Sequence, residues 1–129
     1  MKGGYAMNKI DSVEDLEVFK KGHDLTLRIY KASKEFPRDE EFGLTSQMRR
    51  ASMSIGSNLM EGSHRLSRKE FRQFAGIAKG STGELKYHLL LARDLGYLPQ
   101  DQYGILRSDS EEVSKMLNGL VRSLSDTKR

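Results

Sequence analysis

The chain has no cysteine and no tryptophan, and only two prolines, Pro37 and Pro99, among its 129 residues. Without cysteine there is no disulfide, no thiolate metal site, no thiol redox switch and no cysteine nucleophile. No apolar run approaches the roughly 18 residues that a membrane-spanning helix requires. With 36% hydrophobic and 31% charged residues, a soluble protein is expected. No apolar signal segment follows Met1, where Gly3, Gly4 and Asn8 interrupt the chain, so a cytoplasmic setting is expected. Because breakers are scarce, the long stretches rich in Leu, Lys, Arg, Glu, Ser and Ala favour helices over strands, and the expected class is all-α. At 14.7 kDa there is room for one domain with one core. That domain is read as residues 12–124, preceded by a flexible segment, 1–11, and followed by a frayed tail, 125–129.

The net charge of +4 is unevenly placed. Residues 1–45 carry 8 basic and 9 acidic side chains and residues 73–129 carry 8 and 7, whereas residues 46–72 carry 6 and 2. One 27-residue window therefore holds a local positive field of the kind that attracts phosphate polymers.

Four helices follow from the periodicity. The first is expected after Ser12, with Asp15 as a capping partner, and runs to about Ser33. It has one face of Leu16, Phe19, His23, Thr26, Leu27 and Tyr30, and a second apolar line of Val18, Leu25, Ile29 and Ala32. Pro37 and Gly43 then impose a loop pinned by Phe36 and Phe42. The second helix, from about Leu44 to Met60, carries the stripe Leu44, Met48, Ala51, Ile55 and Leu59. Beside it runs a polar stripe of Gln47, Arg50, Ser54, Asn58 and Glu61, with Met53 and Met60 pointing away from both and Gly62 as the stop. Ser67 and Glu70 have capping-box spacing and open a third helix that runs to Leu95, with Gly96 as its C-terminal signal. Its core face is Phe71, Phe74, Ala75, Ala78, Leu85, Leu89 and Ala92. The fourth follows Pro99 and is clearest from Ser110 to Leu124, along Val113, Leu117, Leu120, Val121 and Leu124. Short connections between four helices predict an up-down-up-down bundle.

Helices one and three carry more apolar surface than one bundle needs. Gly76, Gly80 and Gly83 share one face of helix three, with Tyr87 and Leu91 beyond them, and each interior glycine costs about 1 kcal/mol relative to alanine. A second helix pressed against this line, at a subunit interface, would account for the cost.

Several strings are those of a known family. Phe36-Pro37, the run Phe42-Gly43-Leu44-Thr45-Ser46-Gln47-Met48-Arg49-Arg50-Ala51, Ser54-Ile55, Ser57-Asn58 and Glu61-Gly62 resemble the 23S rRNA intervening-sequence protein family. The similarity continues through Lys69-Glu70-Phe71, Gly80-Ser81, Glu84-Leu85, Leu95-Gly96-Tyr97-Leu98 and Met116-Leu117-Asn118-Gly119-Leu120. The resemblance implies a four-helix bundle assembled as a ring-like homopentamer, with no enzymatic activity and no cofactor. A related branch is similar to the accessory variability protein that partners the reverse transcriptase of diversity-generating retroelements. The family usually has proline where this chain has Gly56, and glycine permits a bend without imposing one.

Two functional readings follow. Arg49, Arg50, Arg65, Arg68, Lys69 and Arg72 are expected around the hairpin between helices two and three. The arginine fork suits phosphate oxygens, so Arg49, Arg65, Arg68, Lys69 and Arg72 are the candidate RNA- or DNA-binding residues. Arg50 is instead expected to pair internally with Glu61, in a buried polar network with Asn58, Lys69, Glu70 and Glu84. A catalytic use of Glu61 and Glu70 lacks an accompanying nucleophile, metal or phosphate loop. His23, His64 and His88 do not have metal-ligand spacing, and Gly80-Ser81-Thr82-Gly83 lies inside a helix and is no phosphate loop. The second reading is a protein-interaction scaffold, for instance a reverse transcriptase subunit, which the surplus apolar face would serve.

Overall fold

The computed structural model describes residues 12–125. The expected flexible segment and nearly all of the expected tail lie outside them. Four helices account for most of the chain: α1 (Glu17–Ser33), α2 (Leu44–Ser63), α3 (Arg68–Asp94) and α4 (Gln100–Ser125). There is no strand among the described residues, and none of the helices is long and apolar enough to cross a membrane.

Side-chain pairs between neighbouring helices fix the topology. Thr26 of α1 donates to the Ser52 carbonyl of α2 and Arg49 donates to Ser33, so residue numbers fall along one helix as they rise along the other. The same antiparallel order joins α2 to α3 through Ser54 with Ser81 and Gly62 with Phe71 and Phe74. It joins α3 to α4 through Lys86 with Glu111 and Arg68 with Ser123, and α4 to α1 through Glu112 with Lys21 and Asp109 with Arg28. The arrangement is an up-down-up-down four-helix bundle.

Its core is the set of stripes that period-3.6 spacing places inward. Leu25, Ile29, Met48, Ile55, Leu59, Leu85, Leu89, Val113 and Leu117 are fully buried. Each contributes about 1.5–3 kcal/mol by leaving water. On α1 the inward line is Val18, Gly22, Leu25 and Ile29. The line through Leu16, Phe19 and Tyr30 is only half-buried, and His23 and Leu27 are exposed. Of the two apolar lines expected on this helix, the one through Val18, Leu25 and Ile29 is therefore the core line. Gly22 explains the choice, because a Cβ there would meet Ile55 Cγ2 at 2.9 Å, so α1 docks on α2 through the side that has no side chain.

Helix boundaries depart from expectation in three places. Ser12 caps a 3-10 turn, Val13–Asp15, by accepting from the Glu14 N–H, and extended Leu16 separates this turn from α1. Gly62 does not stop α2, which continues to Ser63. It is buried where a Cβ would lie 2.7 Å from Phe74 Cβ and 2.9 Å from Phe71 Cδ1. α4 is continuous from Gln100 through Gly104 and Ser108-Asp109-Ser110, well before the Ser110 at which its pattern becomes clear, and within it the buried Ser110 hydroxyl donates to the Leu106 carbonyl and Asp109 takes Arg28. Met60 also differs, packing half-buried on the core instead of pointing away from it.

The end of the bundle formed by the α1–α2 and α3–α4 connections is locked by one carboxylate. Gly43, which precedes α2, has no side chain to cap it, so Glu40 Oε1 accepts from the Leu44 N–H (3.1 Å). The Tyr97 hydroxyl donates to Glu40 Oε2 (3.0 Å), its ring packs on Phe36, and Gly96 at φ +82° ends α3 so that Tyr97 can turn back.

Candidate nucleic-acid interface and assembly face

The opposite end of the bundle gathers the C-terminus of α2, the N-terminus of α3 and the C-terminus of α4. Ser67 starts α3 by accepting from the Glu70 N–H, so Arg68 and Lys69 occupy its first turn. Cations at that position oppose the helix dipole at a cost of about 0.3–1 kcal/mol each. Arg68 offsets this by donating to the Ser123 carbonyl (2.7 Å), near the negative end of α4. Arg65 pairs with Glu61 (2.9 Å) and lies 4.9 Å from the centre of the Phe74 ring. Lys69 and Arg72 are exposed and make no ion pair among the described residues. Four cations therefore share one exposed end, with Glu61 committed to one of them.

Arg49 and Arg50 do not belong to this cluster. They sit near the start of α2, about 20 Å along its axis from the hairpin. The half-buried Arg49 donates to Ser33 Oγ (2.8 Å) and the Tyr30 carbonyl (3.4 Å), with its guanidinium 4.7 Å over the Tyr30 ring. It is a clamp between α1 and α2, not a phosphate ligand at the hairpin. Arg50 is exposed and donates to Gln47 (2.8 Å), where an internal pair with Glu61 was expected.

The six residues expected to form one buried network, Arg50, Asn58, Glu61, Lys69, Glu70 and Glu84, are likewise dispersed. Glu61 and Glu84 are exposed and Glu70 is half-buried at a helix start, while Asn58 bonds the Ser54 carbonyl and hydroxyl. The polar seam that does exist runs between α2 and α3, where Ser81 donates to Ser54 Oγ (2.7 Å) and His88 lies 3.7 Å from Glu84. Ser81 and His88 are buried, and His88 Nδ1 has no hydrogen-bond partner among the described residues. Burial lowers the His88 pKa, Glu84 raises it, and Arg50 lowers it further, leaving the balance below the ordinary value of 6.5. Both residues were legible as polar side chains at the core spacing Phe74, Ala78, Ser81, Leu85, His88, Ala92.

The outer face of α3 is open. A Cβ at Gly76, Gly80 or Gly83 would meet nothing within 4 Å, so no described helix of this chain presses on the line. Ile77 (52% exposed), Tyr87 (60%) and, on α2, Met53 (47%) also reach solvent nearby in sequence or across the seam. Leu91 is different: it is half-buried and packs on the chain's own core. Between α1 and α4 a groove of about 610 Å³ is lined in part by Arg28, Tyr97 and Ile105. Its Arg28 is already engaged by Asp24 and Asp109. No group of three or more acidic or histidine side chains among the described residues could hold a metal ion.

A crystal structure of a protein of unknown function from the S23 ribosomal protein family of Bacteroides thetaiotaomicron is similar, with 28% identity and a TM-score of 0.75. The similarity covers 81% of this chain and 95% of that one. No curated protein matches the chain. The model of the 23S rRNA-intervening sequence protein family matches residues 14–119, which include α1, α2, α3 and most of α4. The chain belongs to that family.

Proposed function

We propose that this protein is a non-enzymatic, oligomeric nucleic-acid-binding protein that contacts phosphates of RNA or DNA through the basic end of its bundle. The carrying observation is that Arg65, Arg68, Lys69 and Arg72 share one exposed end, Lys69 in the first turn of α3 and Arg72 one turn on, both without an acidic partner among the described residues. An anion there relieves both the mutual repulsion and the conflict with the α3 dipole. The open line Gly76, Gly80 and Gly83, with Ile77 and Tyr87, supports self-association, and a ring of five is the assembly the family resemblance implies. Repeating the basic end in each subunit makes individually weak phosphate contacts sufficient. The second reading is that the same apolar face docks on another protein such as a reverse transcriptase; exposed Tyr87, Ile77 and Met53 favour it.

Binding of a labelled duplex, followed by fluorescence anisotropy at several salt concentrations, tests the proposal. Lys69→Glu with Arg72→Glu is the informative variant, because neither side chain supports the fold. Wild-type affinity should fall steeply with salt, and the variant's slope should be shallower by about two phosphate contacts per site. Equal binding by the variant would remove the basic end from the function and favour the protein-docking reading.

A further inference from the structure

We propose that Leu66 is a wedge that enters the base stack of a duplex held at the basic end. The inference rests on the nucleic-acid reading above and specifies how the duplex is deformed. Leu66 lies in the turn between α2 and α3 and is fully exposed, in a position where turn chemistry favours Gly, Asn, Asp or Ser. The turn is a braced mount. Gly62 brings α2 against Phe71 and Phe74, His64 Nδ1 lies 2.9 Å from the Met60 carbonyl, Arg65 is held by Glu61, and Ser67 caps α3. The turn that carries the apolar tip is therefore ordered by folding, and binding has to order only the Leu66 side chain itself, at about 0.5–1 kcal/mol.

Arg65 and Arg68 flank this tip in the chain, with Lys69 and Arg72 behind it. An apolar point with cations on either side of it in the chain fits a partner that is anionic outside and apolar within. Nucleic acid and an anionic membrane share that chemistry, but one leucine supplies only about 1.5–3 kcal/mol on burial. Membrane-surface helices present a whole apolar face, whereas the residues next to Leu66 in this turn, Ser63, His64, Arg65 and Ser67, are all polar. A single apolar side chain between cations is what kinks a duplex by partly unstacking one base step. Pyrimidine–purine steps open most readily, so the wedge produces a mild preference for TA steps through deformability rather than base-edge contacts.

The test uses matched DNA and RNA duplexes carrying 2-aminopurine at a TA or UA step, with binding measured separately by anisotropy. Wild-type protein should raise the 2-aminopurine fluorescence several-fold on binding, and the duplex that responds identifies the nucleic acid. Leu66→Ser should still bind but leave the fluorescence near that of free duplex, and Leu66→Phe should restore the rise. Since Leu66 touches no core residue, both variants should keep the wild-type melting temperature. Binding without a fluorescence rise, or an equal rise with Leu66→Ser, overturns the wedge and leaves the phosphate-binding reading intact. Absence of duplex binding by wild type overturns both. Leu66-dependent binding to phosphatidylserine vesicles, with duplex binding insensitive to Leu66→Ser, overturns the wedge in favour of a membrane contact.

Discussion

Alanine at Gly62 probes the closest approach of α2 and α3, directly beneath the basic hairpin. Its new Cβ would lie 2.7 Å from Phe74 Cβ, 2.9 Å from Phe71 Cδ1 and 3.4 Å from the Phe71 carbonyl oxygen. The Phe71 ring can swing aside, but Phe74 Cβ is fixed to the α3 backbone. Restoring ordinary carbon contact at about 3.5–4.0 Å therefore requires the two helices to part by close to 1 Å. Overpacking of this kind costs about 1–3 kcal/mol, against a helix-propensity gain of about 1 kcal/mol for replacing glycine. The fixed contact places the cost toward its upper end, for a net loss of about 1–2 kcal/mol and a melting temperature lower by about 4–8 °C. Urea and thermal denaturation followed by circular dichroism, at matched protein concentration, measure it. A variant as stable as wild type would refute the close approach of α2 and α3 on which the hairpin's rigid mount depends.

Gly56→Ala should instead stabilise the chain by up to about 1 kcal/mol in the same assay, since its Cβ would sit at an ordinary 3.6 Å from the Phe19 ring. Glu40→Ala should cost about 1 kcal/mol through loss of the cap on α2. The hydrogen bond to Glu40 raises the Tyr97 pKa above 10.0. Its contribution is thus complete below the unfolded value and lost as pH rises through the folded one, so alkaline titration should destabilise wild type more than Tyr97→Phe. His88 has the opposite sign. Its folded pKa lies below 6.5, so the unfolded chain takes the proton first and stability falls as pH drops through and below that value. His88→Leu should flatten the profile between about pH 7 and 5, and an unchanged profile would assign the acid sensitivity elsewhere.

Most of the bundle was legible because α2, α3 and α4 each carry one dominant apolar stripe, and Leu44, Met48, Ala51, Ile55 and Leu59 are all buried as their spacing requires. The misread positions are glycines. Hydrophobic periodicity does not register Gly22 as a core residue, so it left the two apolar faces of α1 unranked, and Gly62 read as a helix stop because its use in helix contact depends on Phe71 and Phe74, which follow in the next helix. Two of the six cations in the basic window, Arg49 and Arg50, fall away from the hairpin for a different reason. A 20-residue helix is about 30 Å long, so residues adjacent in a charge count belong to opposite ends of the bundle. Arg49 is consumed by Ser33 and Tyr30, a pairing across the α1–α2 seam that no local motif announces. Glu40 and Tyr97 are 57 positions apart, and only the closed fold explains why the Gly43 and Leu95-Gly96-Tyr97 strings occur together.

In the proposed assembly, further copies cover the open face of α3 and so multiply the basic end. The mass in solution by light scattering, for wild type and Gly80→Leu, tests it most directly. A Cβ at Gly80 meets nothing within 4 Å and the position is exposed, so helix content should be retained. Wild type should run at a multiple of 14.7 kDa, with five subunits the expected number, and Gly80→Leu should fall toward the single-chain mass. A wild-type mass of 14.7 kDa at micromolar concentration, or a Gly80→Leu mass equal to that of the wild-type assembly, would contradict the account.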